Sequence, residues 1–509
     1  MDWIVKNYFL EIHLSSEEKE LRAYSKLVIE SVSKWHVPVL LGLNKNFKVF
    51  EVKVEGKEKD FSEKTGKLVD YFPEDYKIID IGEELSPGEK IVIELNYGGK
   101  RPTVSLPEEK GFFLTPETLW YPVNAKTPLL DYQRPSATAE IHVETIRDYT
   151  VFCTGKLLEV KKGNEKKKYS FKLDKVGPLA LFASNYSVLK KGTIYYSLFK
   201  EHEKLLEDLA EKAKDIIAAL EKILGPLPYT PLYIVEGTNF VSHYLVSLDY
   251  SVVYKVVEKT LSEVDLQQHL AEQLAKCYWG AYIYVNKLSP GSFWLTESLP
   301  RYLSYIVIKE RNPKEAEKIL KKAKEKYSEL KELGREPPVA EATKENSGAY
   351  WTPLKEGKGI LLHYMLHRIL GEDYFNLLRK LLEEYSWKTI KLKDFTKTTL
   401  KLYPRLKWFI EDWINSASLP LYKIKVVDLA KAGSSWYVGF KIVNEGLGRA
   451  PLKVVVLTEQ GGKVERREWI GSKDYRKIVV RLLDKPIQII LDPENIILKH
   501  PSSQTSVKV

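Results

Sequence analysis

The residues with the most chemical content lie between His269 and Glu297. In a stretch where helices are expected, Glu272 and Lys276 stand four apart, on one helical face, with Gln273 and Cys277 beside them. Two groups at this spacing on a helix can hold one metal ion, with a base between them to activate water. Glu272 could serve as a ligand, but Lys276 has no lone pair to give when charged, and it repels a dication. Gln273 carries an amide, which takes up no proton near neutral pH and cannot be a general base. A glutamate four residues ahead of a lysine is instead the favoured orientation of a helical ion pair. His269 and Glu272, three apart, are a second candidate pair. With Glu297 they would make a His/Glu/Glu zinc set, the alternative to be tested. His363 and His367 share metal-ligand spacing too, although core or surface roles are expected of them. His243 is a candidate by residue type alone. Cys277 has no His or Asn at a partner spacing, and a metal-free enzyme built on it or on the Lys/Glu cluster is the least expected reading.

These residues must be positioned by a chain of three segments. Residues 1–190 alternate apolar and polar positions, as in Ile91-Val92-Ile93-Glu94-Leu95, with turns at Pro87-Gly88 and Gly98-Gly99. From Glu201 the period becomes helical. Leu205, Leu206, Leu209, Ala213, Ile216, Ile217 and Leu220 form one stripe, stopped at Gly225-Pro226. Helices are then expected to dominate to about Ala417. After Ser418-Leu419-Pro420 the chain reads as a small β-sandwich over 418–509, with a frayed tail at Pro501–Thr505.

The site segment, Glu272-Gln273-Leu274-Ala275-Lys276, then Tyr278-Trp279-Gly280 and Trp294-Leu295-Thr296-Glu297, resembles the zinc-site segment of the gluzincin aminopeptidases, peptidase family M1. Those enzymes carry His-Glu-x-x-His, a Trp/Phe-Gly step and Trp-Leu-Asn-Glu-Gly. Three further stretches resemble the family: Trp120-Tyr121-Pro122-Val123-Asn124 with Ala137-Thr138-Ala139-Glu140-Ile141, Lys358-Gly359 through Leu370-Gly371, and Trp413 through Leu419-Pro420. The resemblance implies an N-terminal β saddle (1–190), a thermolysin-like domain with a helical part (191–417) and a C-terminal β-sandwich (418–509). It puts Glu272, Lys276 and Glu297 at the three zinc-ligand positions and Gln273 at the general base. Phe240 falls at the carboxylate that binds the substrate amine, and Glu356 at the transition-state tyrosine. The interval from Lys276 to Glu297 is two residues longer than the family's, so an extended loop is expected around Ser289-Pro290-Gly291. With ligands, base, amine anchor and tyrosine replaced together, the resemblance implies a pseudo-peptidase that binds or scaffolds, without catalysis or cofactor. Lys276 is expected to bridge Glu272 and Glu297 where the family holds zinc.

Composition bounds the rest. The chain has 509 residues, 44% of them hydrophobic, enough for several cores. No signal-like apolar segment or membrane-length run appears, and two cysteines make no disulfide framework. A cytoplasmic protein is expected, with the Lys- and Glu-rich composition of an archaeal thermophile. The formal charge is +10. It leaves nucleic acid open beside protein or macromolecular-assembly partners, although no nucleic-acid motif is present and most lysines are interspersed with glutamates. Basic clusters stand at Lys161–Lys168, Lys318–Lys331 and Arg466-Arg467. No membrane partner is expected.

Overall fold

The computed structural model describes residues 2–67, 75–102, 106–126, 137–175, 177–332 and 336–509. It is a mixed α+β chain that packs into two compact units. One comprises Met1–Asn286, Leu303–Ala316 and Arg379–Ile390; the other Lys287–Tyr302, Glu317–Leu378 and Lys391–Val509.

The first unit opens on an eight-stranded sheet. At its centre Trp3–Ser15 pairs antiparallel with Glu20–Ser31 and parallel with Thr138–Ile146. Glu20–Ser31 alternates buried and open positions along its length, as a strand with one face on a core must. Leu21, Leu27 and Ile29 are buried from that strand, and they join Leu10, Ile93 and Ile141 in one cluster. The sheet that leads to the site comes next. Its strands run in the order Tyr186–Lys191, Ile194–Phe199, Leu232–Gly237, Leu245–Asp249, and the last three are parallel. The Leu206–Leu224 helix makes the crossover and buries Leu209, Ala213, Ile216, Ile217 and Leu220, the stripe read from the sequence. Helices begin just after Phe199, and the strands Leu232–Gly237 and Leu245–Asp249 are interleaved with them.

The Glu263–Tyr278 helix follows. Ser262 starts it with a capping box: its Oγ accepts from Asp265 N, while Asp265 accepts from Ser262 N. Gly280 follows the helix at φ +140°, where a Cβ would come within 3.3 Å of the Lys276 carbonyl oxygen.

In the second unit, helices precede two facing sheets. One is Tyr422–Ala432, Ser435–Asn444 and Tyr475–Leu482; the other is Lys463–Ile470, Ala450–Thr458, Pro486–Leu491 and Ser506–Lys508. Ile424, Phe440, Val454, Ile478 and Ile489 fill the space between them, the layout of a sandwich. The tail expected to fray is tied down instead. Gln504 N donates to Tyr422 O at 2.8 Å, its side chain accepts from Ile424 N, and Ser506–Lys508 pairs with Pro486–Leu491. Polar tail residues gave no sign of those backbone partners.

Candidate functional site

Glu272 and Lys276 meet on the Glu263–Tyr278 helix as their spacing predicts. Lys276 Nζ lies 3.3 Å from Glu272 Oε1, and both side chains are largely withdrawn from water, at 15% and 8% exposure. The lysine positive charge therefore occupies the face on which a two-ligand metal site would be built. His269, one turn earlier, is committed elsewhere. Its Nε2 accepts a hydrogen bond from Asp249 N at 3.0 Å, at the start of the Tyr250–Val257 helix. A neutral imidazole that accepts at Nε2 carries its proton on Nδ1, so neither nitrogen offers a lone pair. The residues on this helix do not fit a zinc ion: one position is a cation and the neighbouring imidazole is already used. Within each unit, among the described residues, no group of three His, Cys, Asp or Glu side chains is gathered as a metal needs.

Gln273 is 1% exposed, and neither its Oε1 nor its Nε2 meets a hydrogen-bond partner among the described residues. Such an amide is costly to bury unmatched, by about 1–3 kcal/mol for each group. It is a hydrogen-bonding group without acid–base capacity, held at the position that the resemblance gives to the general base. Cys277 is buried, and burial pushes its thiol up to about 12. At neutral pH it is protonated and enclosed, which removes it as a nucleophile.

Phe240 also lies in the first unit. It packs with Phe199, Tyr233 and Leu245 in an aromatic cluster, and its carbonyl accepts from Ser247 N at 2.8 Å. An apolar ring in a core offers nothing to an ammonium group by charge. His243 is buried as well, with Nε2 at 2.8 Å from Ala281 O and 2.7 Å from Tyr284 Oη. Burial holds it down at about 4, and it has the partners of a core residue.

Glu297 and Glu356 belong to the second unit. Each sits in a π-helical turn, Trp294–Ser298 and Leu354–Lys358 respectively. Wide turns of this kind are rare and are found at functional positions more often than elsewhere. The two turns are held against each other: Ser298 Oγ donates to Lys355 O at 2.7 Å. Only a glycine at 359 allows this approach, because a Cβ there would collide with Ser298 Oγ. Glu356 faces Arg301, whose Nη1 is 3.4 Å from Glu356 Oε1. A carboxylate in an ion pair stands where the resemblance would place a phenol. Lys358, 1% exposed, is neutralised by Glu336 at 2.6 Å.

His363 and His367 do not cooperate. His363 stacks on Trp294, with ring centroids 4.2 Å apart. Its Nε2 donates to Trp294 O at 2.9 Å, since a carbonyl can only accept, and Nδ1 accepts from Tyr374 Oη at 3.1 Å. His367 Nδ1 instead meets Tyr302 Oη at 2.6 Å. Both are packing residues, one of the two roles expected of them.

Sequence reading missed Arg301, for which no local pattern exists. It also missed a buried pair in the first unit: Glu236 Oε1 lies 2.7 Å from His202 Nδ1, and Glu236 Oε2 accepts from Phe199 N. Burial raises the Glu236 carboxyl above the usual range. A glutamate inside the otherwise apolar strand Leu-Tyr-Ile-Val-Glu-Gly was the available signal, because a buried carboxyl requires partners. Compared with models of known protein families and with curated proteins, the chain matches none.

Proposed function

We propose that this chain is a pseudo-peptidase: an aminopeptidase-like protein of the M1 type that has exchanged catalysis for binding or scaffolding. On this reading the β-rich N-terminal part is the saddle, the middle is the thermolysin-like domain, and Glu272, Lys276 and Glu297 are former zinc-ligand positions. The observation that carries it is the Glu272–Lys276 ion pair, which puts a cation on the face that a metal would need. The unmatched amide of Gln273, which cannot act as a base, and the Arg301-bound carboxylate of Glu356, which is not a phenol, support it. What these residues offer a ligand is hydrogen bonding and charge, without an activated water. A protein partner or a larger assembly is the expected customer of such a module.

Two preparations test the reading, both made without chelator or metal-affinity resin. The natural chain should carry zinc near background by elemental analysis and leave aminoacyl substrates intact. E272H/Q273E/K276H, which restores the His-Glu-x-x-His pattern on one helix, should gain about one zinc per chain. Tightly held zinc in the natural chain would overturn the inactive-site reading and revive the zinc-aminopeptidase alternative. A triple variant that stays at background would remove the resemblance to a zinc peptidase.

A further inference from the structure

The C-terminal sandwich exposes an outer sheet face whose side chains are set by strand register. Ser435–Asn444 is the middle strand, antiparallel to Tyr422–Ala432 on one side and Tyr475–Leu482 on the other. Val438, Phe440, Ile442, Ile478 and Val480 point into the core. Alternation sends Lys441, Lys477 and Arg481 to the opposite face. Register then places Lys441 directly opposite both Lys425 and Lys477. Three lysines stand in a row across three strands, with neighbouring Cβ atoms about 5 Å apart. Like charges directly opposite one another destabilise a sheet.

No ion pair relieves that row. Lys423, on the adjacent row, pairs with Glu445 at 2.7 Å. Among the described residues Lys425, Lys441 and Lys477 pair with no carboxylate. Asp428 stands opposite Gly439, one row along, and is the acidic residue of the face. Two tyrosines are interleaved with the cations. Tyr475 is 48% exposed, and Lys441 Nζ lies 3.7 Å from its ring centroid. Tyr437 is opposite Arg481. Residues 418–509 hold 16 Lys and Arg against 9 Asp and Glu, so most of the +10 formal charge falls in this short segment.

We infer that this face binds single-stranded nucleic acid, with the Lys425–Lys441–Lys477 row against phosphates and Tyr475 as a stacking surface for a base. A row of cations gives sequence-independent attraction, and an exposed ring accepts any unstacked base. A duplex hides its base faces and would leave the tyrosines unused. The surface is independent of the Glu272–Lys276 helix, so either proposal can fail without the other.

Anisotropy with a fluorescent 20-mer of oligo-U or oligo-dT and the full chain, in about 50 mM salt, is the test. Binding is expected, with affinity falling linearly in log salt. K425Q/K441Q/K477Q should weaken it at least tenfold and reduce the salt slope by about 2, the value for three single-strand phosphate contacts. Y475A should weaken it roughly tenfold with little change of slope. The charge-matched control K393Q/K397Q/K401Q, on an exposed helix face, should bind like the parent. The lysine triple variant should melt no lower than the parent, because its changes relieve repulsion. Three results would each overturn the inference: no binding at this salt, equal loss in both triple variants, or anionic phosphatidylserine vesicles that displace the oligonucleotide through the same lysines.

Discussion

Lys276 is the residue on which the site turns. Its charge is balanced by Glu272 in surroundings that admit little water. Removing the lysine alone leaves a poorly solvated carboxylate, whereas removing both charges leaves none. K276M is therefore expected to lose on the order of 3 kcal/mol of stability, and E272M/K276M to recover most of it. Chemical denaturation of the two variants beside the parent checks this, and equal losses would show that the pair has no energetic link. The pair was legible in the sequence because both partners lie on one helix, four residues apart. His269 was not. Its partner is the backbone N–H of Asp249, and no side-chain pattern announces an acceptor for a main-chain donor at the start of another helix.

The Gly359–Leu370 helix shows what a buried histidine does to an element. His363 is satisfied only as the neutral ring, with Nε2–H on Trp294 O and Nδ1 receiving Tyr374 Oη. Burial holds it down at about 3, against roughly 6.5 in the unfolded chain. A depressed histidine contributes stability that is complete above pH 6.5 and is lost as the pH falls toward 3. At pH 5 the loss amounts to about 2 kcal/mol. Thermal unfolding at pH 7 and pH 5 should show a larger drop for the parent than for H363Q, and equal drops would assign the acid sensitivity elsewhere. The Leu206–Leu224 helix was legible from apolar periodicity, since it buries one stripe, whereas this helix is buried nearly all round and was expected only from the resemblance. The lysine row was not. Lys425, Lys441 and Lys477 are 16 and 36 residues apart in sequence, and a register shift at Val426/Asp428 separates Lys425 from the rest of its strand's pairing. Only the pairing of strands brings them together. Expecting most lysines to be solvating surface residues described them one at a time and missed the row.

For the whole molecule, the division into two units matters because it does not follow chain order. The backbone passes from one unit to the other five times. The short parallel pair Tyr284–Val285 with Thr389–Ile390 closes the first unit with a strand from far along the sequence. A fragment ending at Asn286 lacks both Leu303–Ala316 and Arg379–Ile390, and with them the cover for part of its apolar surface. Residues 1–286 expressed alone are expected to bind a hydrophobic dye and aggregate, and co-expression with residues 287–509 should restore a soluble complex. A monomeric, dye-silent fragment would show that the later pieces are dispensable. The sequence suggested three consecutive segments, 1–190, 191–417 and 418–509, because element type changes along the chain. Packing partners are not written in element type. The same threading bears on synthesis. At about 5–20 residues per second, roughly 5–20 s separate the appearance of Asn286 from that of Ile390 on the ribosome. During that interval a unit that is more than nine-tenths made still lacks its closing strand, so the nascent chain must keep Tyr284 and Val285 from other strands until their own arrives.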